Sequence, residues 1–139
     1  AYTASGSFLF SMPDKEIYVP LSILDEAHIH PSIRDKIAGL NAGIVKEVQD
    51  AIAANAVVVV GMRQNPMPKR ARKLLGQDSI RHAYLEYGSY LGGWRRRNAL
   101  KMWAGWPTFP MVFVKGVLVG GAEDLARLQA SGELKKLLA

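Results

Sequence analysis

Residues 106–121 read Trp-Pro-Thr-Phe-Pro-Met-Val-Phe-Val-Lys-Gly-Val-Leu-Val-Gly-Gly, and this stretch decides the fold. Two apolar runs, 111–114 and 117–119, flank Lys115-Gly116, which predicts a β-hairpin. Pro110 stands at the mouth of the hairpin, where a proline leaves the backbone groups of its neighbours free for a ligand. We expect the peptide bond between Pro110 and the preceding phenylalanine to be cis, which would aim those groups.

The rest of the chain alternates helices and strands. Apolar residues recur at three- and four-residue spacing from Ser32 to Ala54, so this stretch predicts a long helix with Ser32 as its cap. The β-branched run 56–60 is typical of a strand buried on both faces. Further predicted elements are a helix over 66–75, a strand over 80–87, a basic helix over 94–103 and a closing helix over 122–138. Helices between strands imply crossovers, whereas the last two strands form a hairpin, so the sheet should be mixed.

The first residues predict an added element. Two β-prone runs, 7–11 and 17–21, flank a turn signal and predict an N-terminal hairpin. The apolar side chains of this hairpin exceed what two strands bury by themselves. We therefore expect it to pack on a second copy of the chain as a homodimer or, alternatively, on its own domain. The predicted division is an extension over 1–31 and a domain over 32–139.

Composition limits the classes of function. The chain has 139 residues, a formal charge of +6 and a pI near 9.7, which favours anionic partners such as acidic protein surfaces, nucleic acid or a small anionic peptide. It contains no cysteine, which excludes disulfides, thiolate metal sites and a cysteine nucleophile. No apolar run approaches 18 residues and the first residues lack a signal-peptide pattern. A cytoplasmic protein with no membrane contact is the expectation.

Trp106 to Pro110, followed ten residues on by Gly120-Gly121, resembles the glutathione-binding half of glutaredoxins, especially the monothiol class. In that class a similar Trp-Pro-Thr motif precedes Gly-Gly-Cys-Asp. The resemblance covers residues 44–138. It implies a thioredoxin-like, glutaredoxin-type α/β fold, in which a mixed four-stranded sheet is flanked by helices. The N-terminal hairpin and the long helix would be additions to that fold.

The resemblance breaks at the family's Cys-Pro-Tyr-Cys or Cys-Gly-Phe-Ser turn, which is Asn65-Pro66-Met67-Pro68 here. Asn65 stands where the family carries the cysteine whose thiolate attacks disulfides. An amide cannot form a mixed disulfide or ligate an iron–sulfur cluster, so we expect neither activity and no such cluster. We expect Asn65 to cap the following helix, with a residual ligand contact as the alternative.

The resemblance also implies a set of residues for glutathione, which are Arg63, Arg97, Thr108, Phe109, Pro110, Gly121, Ala122 and Glu123. The two arginines would meet the carboxylates, although Met62 takes the place of Arg63 if the turn anchors the alignment. Phe109 would supply its backbone to the cysteinyl part of the ligand. Glu123 would offer a carboxylate to its ammonium group.

Two classes of function stay open at this point. The first is a non-catalytic module that binds glutathione or an extended peptide or protein segment. The second is a protein-interaction or assembly domain with an idle groove, meaning one that binds no ligand. A disulfide oxidoreductase or electron carrier is a further alternative, which rests only on the description of the family. The basic and aromatic side chains carry no nucleic-acid motif, so an acidic partner is favoured over nucleic acid. His28 and His30 lack a third ligand nearby, so no metal is expected.

Overall fold

The computed structural model describes residues 24–39 and 42–139. These residues fall into two compact units, which divide between residues 40 and 41. The predicted N-terminal hairpin, and with it the homodimer contact expected of that segment, lies outside the described residues. The domain boundary between residues 31 and 32 stays a prediction.

The first unit contains a short 3-10 helix, Glu26–His28, and the helix α1, Pro31–Gly39. The prediction that Ser32 caps α1 is wrong, because the helix begins one residue earlier. The backbone N–H of Ser32 instead donates to Nδ1 of His30 at 3.1 Å. His28 ends the 3-10 helix, so the segment that carries His28 and His30 is not a strand that could present both imidazoles on one side.

The second unit holds a four-stranded sheet and five helices. Its helices are α2 (Ala42–Ala54), α3 (Pro66–Gln77), α4 (Trp94–Ala104), α5 (Ala122–Ser131) and α6 (Glu133–Leu138), and its strands are β1 (Val57–Gly61), β2 (Ala83–Glu86), β3 (Met111–Val114) and β4 (Val117–Gly120). The single closing helix predicted over 122–138 is wrong, because Gly132 separates α5 from α6. Its φ of +82° lies in the left-handed region, which glycine reaches without steric cost. Where one long helix was predicted from Ser32, the structure describes two helices, α1 and α2, and it does not describe residues 40 and 41 between them.

The strand order is β2-β1-β3-β4, with β1 parallel to β2 and antiparallel to β3, and β3 antiparallel to β4. The predicted mixed sheet is therefore confirmed. All five residues of β1 are buried, because helices cover both faces. Val58 and Val60 pack towards α2 and α4 on one face. Val57 and Val59 pack towards α3, α5 and α6 on the other.

This topology brings four separate segments to one end of the sheet. Because β1 and β2 are parallel, the segments that follow them leave at the same end. β3 is antiparallel to β1, so the segment before β3 starts there too, and β4 ends beside it. Asn65, the turn over 88–93, Pro110 and Gly121 therefore meet although they are distant in sequence. Within the described ranges no helix is long and apolar enough to cross a membrane.

Candidate ligand-binding groove

A groove of about 530 Å³ opens where the four segments meet. The structure brings all but one of the residues that the sequence predicted for the site into its lining, which includes Asn65, Arg97, Thr108, Phe109, Pro110, Gly121, Ala122 and Glu123. The exception is Arg63. The lining also contains Met62, which takes the place of Arg63 if the turn anchors the alignment with the family.

Asn65 caps α3, as predicted. Its Oδ1 accepts a hydrogen bond from the backbone N–H of Met67 at 3.0 Å, and Pro66 occupies the first helical position, where a missing N–H costs nothing. Its Nδ2 donates to the carbonyl oxygen of Phe109 at 3.3 Å. The same side chain therefore holds the start of α3 and the segment before β3.

The far wall of the groove is the hairpin mouth and the start of α5. The Phe109–Pro110 peptide bond is cis, as predicted. The backbone N–H of Gly121 donates to Oδ2 of Asp124 at 3.0 Å, so that donor is already used. Glu123 forms an ion pair with Arg70 on α3, so a ligand ammonium group would compete with that arginine for the carboxylate.

The two predicted arginines make contacts within the chain. Arg97 is 8% exposed, and its Nη1 donates to the carbonyl oxygens of Tyr87 at 3.0 Å and Gly92 at 2.6 Å. One nitrogen of its guanidinium thus holds the turn that precedes α4, while the side chain also lines the groove. Arg63 lines a neighbouring cavity of about 400 Å³, and its Nε lies 3.8 Å from Glu86.

Lys101 is a groove cation that the sequence reasoning did not assign to the site. Its Nζ lies 5.8 Å from the centroid of the Phe109 ring, and it has no hydrogen bond or ion pair to any residue that the structure describes. A signal for it existed in the sequence. Lys101 follows Arg97 by four residues on a predicted helix, and residues four apart share a helix face.

Trp106 supplies a second unused donor. Its indole Nε1 is buried and has no hydrogen-bond partner in the described part of the chain. It lies 3.9 Å from the position that a Cβ on Gly121 would occupy. A buried donor without a partner costs about 1–3 kcal/mol, and because this atom is buried a ligand in the groove does not reach it directly.

Two tyrosines, Tyr84 on β2 and Tyr87 directly after that strand, have pKa values above the usual 10.0. Burial is the main cause for both. For Tyr84, burial and then the hydrogen bond to Glu86 raise the pKa to about 12. For Tyr87, burial and then the hydrogen bond to Glu47 raise the pKa further still. Both hydroxyls stay protonated at neutral pH, so neither tyrosine is a base or a charged nucleophile there.

The groove offers a cationic donor, Lys101. Among residues 24–39 and 42–139, no three His, Asp or Glu side chains gather where they could hold a metal ion. The 139 residues offer no thiol. An ammonium group only donates hydrogen bonds, so a carboxylate or carbonyl oxygen is the group that would pair with Lys101.

No family model matches the chain. Similar solved structures include oxidized glutaredoxin 2 from Chlamydomonas reinhardtii, which is 29% identical, with a TM-score of 0.62 over 70% of this chain and 92% of that one. A buckwheat glutaredoxin solved in complex with glutathione is 25% identical, with a TM-score of 0.63 over 71% of this chain and 90% of that one. These likenesses agree with the thioredoxin-like fold described above.

Curated relatives carry the same family description. Monothiol glutaredoxin-4 of Schizosaccharomyces pombe is 30% identical over 104 residues, 72% of this chain, although the match spans only 42% of that relative. A glutaredoxin-like protein of Dictyostelium discoideum is 41% identical over 103 residues, which cover 74% of this chain and 84% of that protein. The chain therefore belongs to the glutaredoxin family, although its sequence contains no cysteine.

Proposed function

We propose that this chain is a non-catalytic member of its family, which holds glutathione or an extended peptide segment in the groove. The observation that carries the proposal is the ammonium group of Lys101, which lines a groove of about 530 Å³ and has no hydrogen-bond or ion-pair partner among the described residues.

The absence of turnover follows from the residue at the centre of the site. Thiol–disulfide exchange requires a thiolate that attacks one sulfur of a disulfide. Asn65 has no electron pair on a sulfur to donate, and its amide is occupied by Met67 and Phe109. We therefore expect binding without a covalent intermediate and without an iron–sulfur cluster.

The choice of ligand rests on charge, shape and kinship. A tripeptide with two carboxylates suits a groove with a free ammonium group on its lining, because charge-assisted hydrogen bonds are the stronger ones. The buckwheat glutaredoxin was solved in complex with glutathione, and the match to it, over 71% of this chain, is 25% identical in sequence. An extended peptide segment offers the same backbone acceptors, so it is the second ligand within this proposal.

The test is calorimetric titration of reduced glutathione into the full chain. In Gly121→Leu the new Cβ would meet its neighbours at 3.6 to 3.9 Å, so the backbone accepts the change while the side chain fills the groove. Gly76→Leu is the matched control, because Gly76 lies on α3 with nothing within 4 Å of its Cβ position. We expect saturable binding to the wild type and the control, and none to Gly121→Leu.

Lys101→Ala adds a second test in the same experiment. It should weaken binding by about tenfold, because a charge-assisted hydrogen bond contributes about 1.5–3 kcal/mol. Wild-type protein that gives no saturable heat, or Gly121→Leu that binds as well as Gly76→Leu, would contradict the proposal. Circular dichroism of each variant confirms that the fold is retained.

A second candidate is a protein-interaction domain with an idle groove. It is favoured by one observation: Arg97 and Glu123, two groups that the resemblance assigns to glutathione, are both engaged within the chain. A folded wild-type protein that ignores glutathione in the titration above would favour this candidate over the first.

A further inference from the structure

The turn before α4 displays two large side chains to solvent. Ser89 and Gly92 bond each other in both directions, with N–O distances of 3.0 and 3.2 Å, so the two residues between them form its tip. These are Tyr90, which is 65% exposed, and Leu91, which is 91% exposed. A single exposed leucine is ordinary at a protein surface, so these two side chains are informative only together with the exposed residues that lie beside them.

The turn is held rigidly from beneath. The buried guanidinium of Arg97 bonds the carbonyl oxygens of Tyr87 and Gly92. A Cβ on Gly88 would lie 2.4 Å from the carbonyl oxygen of Gly92, so the chain segments before and after the tip of the turn are in close contact. Side chains on a pre-ordered turn lose little conformational entropy when a partner covers them, which favours binding.

The exposed face of α4 continues this surface. Trp94, Asn98 and Met102 follow one another at four-residue spacing and are all exposed, with Trp94 at 58% and Met102 at 73%. Arg95 lies beside them, with its guanidinium carbon 5.3 Å from the centroid of the Trp94 ring. A tryptophan with an arginine over its ring is the side-chain combination that interface hot spots favour.

Two cations of this surface lack an acidic partner. No aspartate or glutamate occurs from Tyr87 to Ala122, a stretch that contains the turn and all of α4. Arg96 pairs with Glu47 across to α2 at 3.5 Å, whereas Arg95 and Lys101 have no acidic partner in the part of the chain that the structure describes. Glu123 and Asp124 line the groove together with Lys101, and they pair with Arg70 and Arg127. An approaching acidic group would therefore find two cations that no carboxylate of the chain already pairs with.

We propose that Tyr90, Leu91, Trp94, Arg95 and Met102 form a docking surface for an acidic protein segment that carries an apolar or aromatic anchor. The anchor would pack against Leu91 and Trp94, and flanking carboxylates would meet Arg95 and Lys101. Leu91 and Met102 give no face on which a base can stack, which favours a protein segment over single-stranded nucleic acid. The docking surface adjoins the groove, because Tyr90 and Lys101 also line it, but its anchor residues Leu91 and Trp94 are not part of the groove lining.

The test selects peptides from a random display library on the full-length chain at physiological ionic strength. The expected consensus joins at least two acidic residues with a leucine or an aromatic residue. The peptide is then synthesised and its affinity is measured by fluorescence anisotropy. We expect Leu91→Asp and Arg95→Glu each to weaken binding by about tenfold or more, as truncation of interface hot spots does.

Two matched controls separate docking from general electrostatics. Val117→Asp places the same charge at an exposed apolar residue of β4, and Lys73→Glu makes the same charge reversal on α3. Both should change the affinity by less than about twofold, as substitutions outside an interface do. A neutral or basic consensus, equal losses in the controls, or tighter binding of an oligothymidylate of the same length would overturn the proposal. Failure to enrich any peptide would overturn it as well.

Discussion

The side-chain amide of Asn65 donates to the carbonyl oxygen of Phe109 at 3.3 Å while its own oxygen accepts from the N–H of Met67 at 3.0 Å. Only a group that is both donor and acceptor can make this pair of bonds, and an amide is such a group. Asn65 therefore connects the first turn of α3 to the segment before β3. This side chain is thus a structural connection between the two walls of the groove.

Asn65→Ala should destabilise the protein by about 1–2 kcal/mol, because it removes a helix cap and a hydrogen bond to a buried residue. Urea denaturation of both proteins measures the difference. Asn55→Ala is the matched control, since Asn55 is exposed and bonds only the carbonyl of Ala51 within its own chain segment. The control should cost less than half a kcal/mol or so, as exposed substitutions usually do. Equal losses would show that Asn65 does not connect the walls.

Asn65→Cys should create a reactive thiol. The new side chain would stand at the N-terminus of α3, where the helix dipole and free N–H groups lower a thiol pKa below the usual value of about 8.5. We expect faster alkylation by iodoacetamide at neutral pH than for Asn55→Cys, which places a thiol at an exposed position after α2. The chain has no other cysteine, so each variant reports on one thiol. Equal alkylation rates would contradict an activating environment at residue 65.

Arg97→Ala should act on stability before it acts on any ligand. Removal of the guanidinium leaves the buried carbonyl oxygen of Tyr87 without its donor, whereas the carbonyl oxygen of Gly92 keeps the N–H of Ser89. One orphaned buried group costs about 1–3 kcal/mol, so we expect a loss of that size in the free energy of unfolding. Faster hydrogen exchange at the amides of Ser89 and Gly92 should accompany it. Arg96→Ala is the neighbouring control, and its exposed ion pair with Glu47 contributes less than about 1 kcal/mol.

The sequence predicted the sheet because its signals were strong and local. The run 57–60 is β-branched throughout, and Lys115-Gly116 separates two apolar runs, so β1 and the final hairpin could be placed within one residue. The strand predicted over 80–87 has a weaker pattern, and β2 begins three residues later, at Ala83. The break at Gly132 was missed because both sides of it are good helix formers. A glycine inside such a pattern does not reveal from sequence alone that it adopts a positive φ.

The site was predicted in outline and missed in its charges. The backbone motif fixed Pro110 and Gly121, because their roles depend on the chain path. The role of Arg97 depends on the turn beneath which it is buried, and nothing in the sequence shows that Tyr87 and Gly92 bring their carbonyls to it. Whether Lys101 has a partner likewise depends on which side chains the fold brings near it, and among the described residues it has no hydrogen bond or ion pair. Partner choice among cations is a tertiary property, which residue spacing alone does not determine.

The raised pKa of Tyr84 predicts an alkaline limit to stability. Burial and the hydrogen bond to Glu86 raise the pKa from 10.0 to about 12, so the folded protein holds the proton more tightly than the unfolded chain does. The stability that this tyrosine contributes is complete below about pH 10 and is lost as the pH rises towards 12. Between those values, the free energy of unfolding of the wild type should fall more steeply than that of Tyr84→Phe.

Urea denaturation at a series of pH values measures the two slopes. The stability difference between the wild type and Tyr84→Phe should shrink across this window, because Tyr84→Phe has no hydroxyl at that position to ionise. A difference for Tyr84→Phe that is the same at both ends of the window would show that the hydroxyl of Tyr84 ionises alike in the folded and unfolded states.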